Sequence, residues 1–217
     1  LSVNPNWRHD SRLSNPELWV AMRMLFGGQI CDGGPCNGKC TAKLDNEHPA
    51  VCKTVKPRMH TLLRQTMAKI LREAGIPHME EPCGLLAGTE RPADIYIGNL
   101  GEQRRVCVDF ARPHPLTEAM RVKCRGGDRY AADVYAEDVK ERSANAANCR
   151  ANGMNFIPAC VDTFGAFGDG FLELLKSVAA EACHRSGGTY SSMLHRMHSR
   201  ISFVLLKGQA AFYLEKI

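Results

Sequence analysis

Two aspartates lie in or beside short apolar segments of the sequence. Asp94 precedes "IYIGNL", and Asp109 lies inside "RVCVDFA". In an alternating strand Val108 and Phe110 point to one face and Asp109 to the other, so a carboxylate projects from a mostly apolar strand. A buried carboxylate without a partner is costly, and a hard metal ion compensates that cost while also doing chemistry.

The two apolar segments are separated by the turn-like "GNLGEQ", which predicts a β-hairpin that brings Asp94 and Asp109 to one end of a sheet. Two carboxylates on Mg2+ or Mn2+ are the minimum for metal-assisted phosphodiester hydrolysis, and a nearby lysine stabilises the developing charge. The alternative is structural. Asp94 then caps a strand, and Asp109 pairs with one of the arginines Arg91, Arg104, Arg105 and Arg112.

A second constellation is the stretch "CNGKCTAKLDNEHPAVC", whose spacing is C-x3-C-x7-H-x3-C. Two close pairs of ligands joined by a short loop suit a tetrahedral zinc ion, and the ligands would be Cys36, Cys40, His48 and Cys52. Cys31 is a spare that could replace Cys36. Free or disulfide-linked cysteines are the alternative, but a stretch with no apolar periodicity needs something else to order it. A closed Cys3His site leaves no position for substrate, so this zinc is expected to be structural.

Composition narrows the class of protein. The 217 residues are 44% hydrophobic, which suits one main domain with a small appendage, and the net charge of +5 permits nucleic acid as a partner. The ten cysteines are largely dispersed, and no apolar run is long enough to span a membrane, so we expect a soluble protein in a reducing compartment, nuclear or otherwise intracellular. The chain begins with Leu1, which indicates a piece of a longer polypeptide.

Hydrophobic periodicity predicts the remaining elements. A short amphipathic helix lies in "LSNPELWVAMRMLFGG", and a longer one lies in "HTLLRQTMAKILREAG". After the two strands of the hairpin, residues 131–150 return to helix, "FIPACVD" is a strand, and two helices follow. This order predicts an α/β fold in which a mixed sheet is flanked by helices.

Seven segments carry a family resemblance when they are taken in order. They are "LSNPELWVAMRMLFG", the cluster ending in "EHPAVC", "RMH", "EEPCGLL", "RPADIYI", "VCVDFA" and "FIPACVDTFGAFG". Together they resemble the C-terminal region of site-specific non-LTR retrotransposon polyproteins, which carries a zinc knuckle followed by a restriction-like endonuclease of the PD-(D/E)xK superfamily. The resemblance implies an N-terminal helix and Cys3His knuckle in residues 1–56. It implies a restriction-endonuclease-like domain in residues 57–217.

The resemblance also implies site residues. Asp94 in "RPAD" and Asp109 in "VCVDFA" would bind Mg2+ or Mn2+. The superfamily's usual lysine two residues beyond the second acid is missing, since Ala111 stands there. The catalytic lysine would then be Lys140, as in relatives whose lysine has moved to a later helix, with Lys123 as the alternative.

The family's adjacent Arg-His becomes "RMH" here, so either Arg58 is displaced by one position or Met59 has replaced the arginine. The residues expected to contact nucleic acid are Arg58, His60, Arg91, Arg104, Arg105 and Lys123. The expected partners are DNA, with RNA as a further candidate, and a reverse transcriptase region of the same polyprotein or a larger complex. No membrane partner is expected.

The expected function is a Mg2+-dependent endonuclease that nicks target DNA to prime reverse transcription. A catalytically silent, domesticated module for nucleic-acid binding or assembly is the alternative, favoured by the missing lysine at position 111 and by the altered "RMH". A third interpretation, a zinc-ribbon transcription or ribosomal factor, depends on residues 36–52 alone and leaves the two aspartates unexplained.

Overall fold

The computed structural model describes residues 12–26, 28–30, 34, 36, 48, 52, 55–86, 91–125 and 129–215. The described residues divide into two compact units. One comprises those within Leu1–Leu63 and Ser199–Ile217, and the other those within Arg64–His198. The predicted domain boundary at residues 56 and 57 stays a prediction. Within the described ranges, no helix is long and apolar enough to cross a membrane.

Four strands and eight helical segments make up the described structure. In chain order they are α1 (Asn15–Leu25), α2 (Val55–Glu73), β1 (His78–Glu80), β2 (Ile95–Leu100), β3 (Gln103–Ala111), α3 (Glu118–Lys123), α4 (Ala131–Tyr135), a π-helix (Ala136–Lys140), α5 (Ala144–Ala151), β4 (Asn155–Cys160), α6 (Asp169–Ser186) and α7 (Tyr190–Leu214). The predicted α/β class is confirmed in this form, as a mixed sheet with helices.

The sheet has the order β1-β2-β3-β4. The first three strands are antiparallel neighbours, and β4 runs parallel to β3. The predicted hairpin is the β2–β3 pair, in which Ile95 faces Val108. Its turn contains Gly101 at φ 58, a backbone conformation that glycine adopts without steric cost. A parallel pair needs a long crossover, and here α3, α4, the π-helix and α5 supply it.

Local chemistry explains the ends of the first two helices. Ser14 and Glu17 form the capping box of α1, because each side chain accepts a hydrogen bond from the other residue's backbone N–H. Helix α2 begins at Val55, upstream of the "HTLL" start that the sequence indicated, and Gly75 at φ 68 follows its end. His60 therefore lies within a helix and does not start one.

The sheet buries residues on both faces. Ile95, Ile97 and Val108 are inaccessible to solvent on one face, and Cys107 is equally buried on the other. Cys107 and Cys160 behave as the core hydrophobes that the sequence suggested, since burial raises the pKa of each thiol to about 12. All the cysteines in the described ranges are free thiols.

Candidate functional site

The register of the hairpin brings the two aspartates together. Ile95 pairs with Val108, so the next positions along the two strands are Asp94 and Asp109. The Asp94 carboxylate Oδ2 accepts a hydrogen bond of 2.7 Å from the backbone N–H of Phe110. Asp94 also donates its own N–H to the carbonyl of Val108 at 2.9 Å. Both backbones are thus fixed where the carboxylates meet.

Lys140 reaches the same point from the crossover. Its Nζ lies 2.8 Å from Oδ2 of Asp109, and the two side chains are only 18% and 14% exposed. Asp109 therefore pairs with a lysine and not with an arginine, the partner that the structural alternative required. Lys123, the alternative catalytic lysine, instead binds Asp138 at 2.7 Å.

Burial dominates the electrostatics of Asp109. It raises the pKa of this carboxyl above its ordinary value. The charge and hydrogen bond of Lys140 lower this pKa, and Asp94 raises it again through its charge and a side-chain hydrogen bond. Asp109 contacts both Asp94 and the ammonium of Lys140, so the three groups carry a net negative charge when both acids are ionised, and hard cations favour such oxygen ligands. The residues present therefore fit Mg2+ or Mn2+.

The position two residues beyond Asp109 has no space for a long cationic side chain. Ala111 is 8% exposed and belongs to a buried cluster with Ala132, Ala136 and Cys160. Its neighbours come from α4, the π-helix and β4, so the helical crossover lies directly over this part of β3. The ammonium that meets Asp109 comes from that crossover.

Lys140 is the last residue of the π-helix, in which the N–H of Glu141 donates to the carbonyl of Ala136 at 2.8 Å. π-helices are rare and are frequently found at functional sites. Ion pairs hold the outer side of this segment, including Lys123 with Asp138 and Arg150 with Glu141. The hydrogen bond from Lys123 is the main reason that the pKa of Asp138 is lowered.

The basic residues expected at nucleic acid lie in different places. Arg91 binds Glu81 at 3.1 Å, and Arg58 binds Glu215 at 2.6 Å. Arg104 donates to Asn99 near the hairpin turn. Arg104 and Arg105 are four to five strand residues from Asp109, which corresponds to roughly 13 to 17 Å. The extended strand therefore places these two arginines towards the hairpin turn, and their contact with nucleic acid stays a prediction.

Sequence reasoning missed how Glu81 supports Asp94. The backbone N–H of Glu81 donates to the carbonyl of Asp94 at 2.8 Å. Glu81 has φ 45, which is uncommon for a residue other than glycine, and Arg64 and Arg91 both bind its carboxylate. No sequence pattern reports a left-handed backbone at a glutamate, so the only available signal was its place before Pro82 at the end of a strand.

Three residues of the Cys/His stretch also lie close together. Side-chain ligand atoms of Cys36, His48 and Cys52 all lie within 4.8 Å of one another, and the three residues are buried. This group could hold a metal ion. The predicted fourth ligand, Cys40, lies outside the described residues, as does the spare Cys31.

The helix that follows helps to place these ligands. The N–H of Cys52 donates to the carbonyl of His48 at 2.8 Å, which sets the two residues one helical turn apart. The carbonyl of Cys52 accepts from the N–H groups of Val55 and Lys56, the first residues of α2. The ring of His48 lies 6.1 Å from the ring of Phe212.

Comparison with known proteins adds no identification. No model of a known protein family matches the chain, and no curated protein matches it significantly.

Proposed function

We propose that this chain contains a Mg2+-dependent DNA endonuclease domain of the retrotransposon type. It would nick target DNA so that an associated reverse transcriptase can extend the new 3′ hydroxyl. The observation that carries the proposal is the meeting of Asp94, Asp109 and Lys140, which come from separate parts of the chain, at one partly buried point.

The chemistry assigned to each residue follows from its contacts. Asp94 and Asp109 would hold Mg2+ or Mn2+, which when bound lowers the pKa of a water molecule and neutralises charge on the phosphate. The N–H of Phe110 orients the Asp94 carboxylate, so that ligand is positioned before the cation arrives. The ammonium of Lys140 holds Asp109 in the same way and is itself held there.

Lys140 would stabilise the negative charge that develops during cleavage. An ammonium beside the carboxylates can hydrogen-bond the attacking water or a phosphate oxygen, and either contact strengthens as negative charge builds in the transition state. Its low exposure favours this role, because a partly desolvated charge acts more strongly than one in water.

The order of the elements supports a restriction-endonuclease-like fold. A helix precedes three antiparallel strands, and a helical crossover leads to a fourth strand parallel to the third. Asp94 enters β2, Asp109 lies in β3 and Lys140 lies in the crossover, which is the arrangement that the family resemblance implies.

The second metal would be structural zinc. Two sulfur ligands and one imidazole favour Zn2+ over Mg2+, and Cys40 would complete the tetrahedron. Because thiolate ligands persist in reducing surroundings, this site suits an intracellular protein, and nuclear DNA would be its substrate. The proposed contacts to nucleic acid are still Arg58, His60, Arg91, Arg104, Arg105 and Lys123.

A plasmid-nicking assay tests the enzymatic proposal. The wild-type chain should convert supercoiled plasmid to the open circular form with Mg2+ or Mn2+ and not with EDTA. The variants Asp94→Asn, Asp109→Asn and Lys140→Met should each lower the rate by roughly a thousandfold, since each removes a charge used in the transition state. Lys176→Met serves as the control, because it removes the charge of an exposed lysine in α6 that pairs with Glu173.

Two outcomes would count against the enzyme. Nicking that survives Asp109→Asn would come from a contaminating nuclease. A pure wild-type chain that binds DNA and never nicks it with either cation would favour the silent module.

A further inference from the structure

We propose that Ala136 is a positioning residue, whose small side chain sets the distance between the π-helix and the sheet at which Lys140 meets Asp109. The consequence for cleavage rests on the proposed endonuclease function. All the contacts involved lie within the unit formed by Arg64–His198.

Small residues separate the crossover from the sheet. Ala132 and Ala136 on the helical side pack with Ala111 and Cys160 on the strands, and all four are at most 8% exposed. Methyl groups let a helix approach a sheet closely, and close-packed interiors resist even one added methylene. The spacing of the two layers is therefore fixed at this cluster.

The spacing of side chains along β3 also matches their spacing along the π-helix. On the strand, Asp109 and Ala111 lie on one face and are separated by about 6.6 Å. On the helical side, Lys140 lies four residues after Ala136, roughly one turn, which at the rise of an α-helix advances about 6 Å. The alanine contact and the Lys140–Asp109 ion pair are thus successive steps along one seam, and the flexible lysine covers the small difference.

This packing links the size of the side chain at position 136 to the position of Lys140. If the side chain at position 136 grows, the π-helix must move outward, and the ammonium must leave a bond that is now 2.8 Å long. A misplacement of about 1 Å in a catalytic group can cost on the order of a hundredfold in rate. The carboxylates of Asp94 and Asp109 lie on the strands, so they should keep their cation.

The test compares Ala136→Val with Ala179→Val, which adds the same volume to another fully buried alanine, in α6. The first readout needs no activity. Limited acetylation with an amine-directed reagent, followed by mass spectrometry, measures how well Asp109 protects Lys140, with Lys176 as the internal reference. Acetylation of Lys140 should rise in Ala136→Val to the level of Asp109→Asn and should stay at the wild-type level in Ala179→Val.

The second readout is plasmid nicking. Ala136→Val should lower the rate on the order of a hundredfold and should add no further loss in a Lys140→Met background. Ala111→Val should reproduce both effects from the strand side. Ala136→Cys, a smaller step, keeps the test valid if Ala136→Val does not fold.

The outcomes separate the two proposals. Acetylation of Lys140 that is equal in Ala136→Val, Ala136→Cys and Ala179→Val overturns the positioning role, whatever the nicking rates are. Acetylation that rises only in the variants of the seam supports it, even if the wild-type chain proves unable to nick DNA. In that second case it is the endonuclease proposal alone that fails.

Discussion

The candidate metal ligands Cys36, His48 and Cys52 come from one short stretch of chain, whereas Asp94, Asp109 and Lys140 come from three distant parts of the chain. The stretch that carries the first group lacks apolar periodicity in its sequence, so a metal would supply free energy that orders it. The second group is held by hydrogen bonds, a strand register and packed alanines. A structural metal can replace a core, whereas a metal at Asp94 and Asp109 would need a core that is already in place.

Removal of metal should produce the largest difference in hydrogen-exchange protection between the two regions. Structural zinc contributes on the order of 10 kcal/mol to the folding of small zinc modules, so chelation should expose the region around Cys36, His48 and Cys52 to hydrogen exchange. The amides of β2 and β3 should keep their protection. Metal analysis of the purified chain should return one tightly bound zinc, and Cys52→Ser should lose it. A chain without zinc, or equal loss of protection in both regions, contradicts this prediction.

A packing change should affect only the second region, and by less. A Cβ at Gly168 would lie 2.9 Å from Oδ1 of Asp133 and 3.3 Å from Cβ of Ala132. Asp133 cannot easily move, because the same oxygen accepts a bond of 2.7 Å from the N–H of Asp169. Gly168→Ala should therefore lower the free energy of unfolding by about 1 to 3 kcal/mol, the usual cost of overpacking.

Gly98→Ala is the matched control for this change, because the added Cβ would meet nothing within 4 Å. It should alter stability by less than about 0.5 kcal/mol. Denaturant melts of the two variants measure the difference. If they are equally stable, the close contact between α4 and the start of α6 does not matter.

The smallest predicted effect is the pH dependence that Asp109 gives to the free energy of unfolding. The pKa of this carboxyl is raised in the folded state, chiefly by burial, so the stability that it contributes is present at low pH. That contribution is lost as pH rises through the raised pKa. Without divalent metal, Asp109→Asn should therefore become more stable than wild type as pH increases from acid towards neutral. A mutant that loses stability relative to wild type over this range would contradict the sign.

Much of the scaffold could be predicted from sequence. Alternation and turn residues located β2, β3 and the hairpin, and these fixed which side of the strand Asp109 occupies. The apolar periodicity of "LSNPELWVAMRMLFGG" likewise located α1. These signals are local, because each depends on neighbours in the chain.

The remainder depended on contacts between distant residues. The short strand His78–Glu80 and the helix Glu118–Lys123 have too few residues for periodicity to reveal them. Family resemblance suggested Lys140, but the π-helix that carries it has no sequence signature. Arg104 and Arg105 looked close to Asp109 along the chain, yet an extended strand carries them away from it.

We propose that Asp94 and Asp109 serve to bind a metal ion and not to stabilise the fold. Thermal melts of wild type and Asp109→Asn, each with and without Mg2+, test it most directly. Mg2+ should raise the melting temperature of wild type, because a ligand that binds only the folded state stabilises it, and should not change that of Asp109→Asn. The mutant without metal should melt no lower than wild type at neutral pH. A wild type that Mg2+ leaves unchanged, together with a mutant that melts far lower, would show that the Asp109–Lys140 pair supports structure alone.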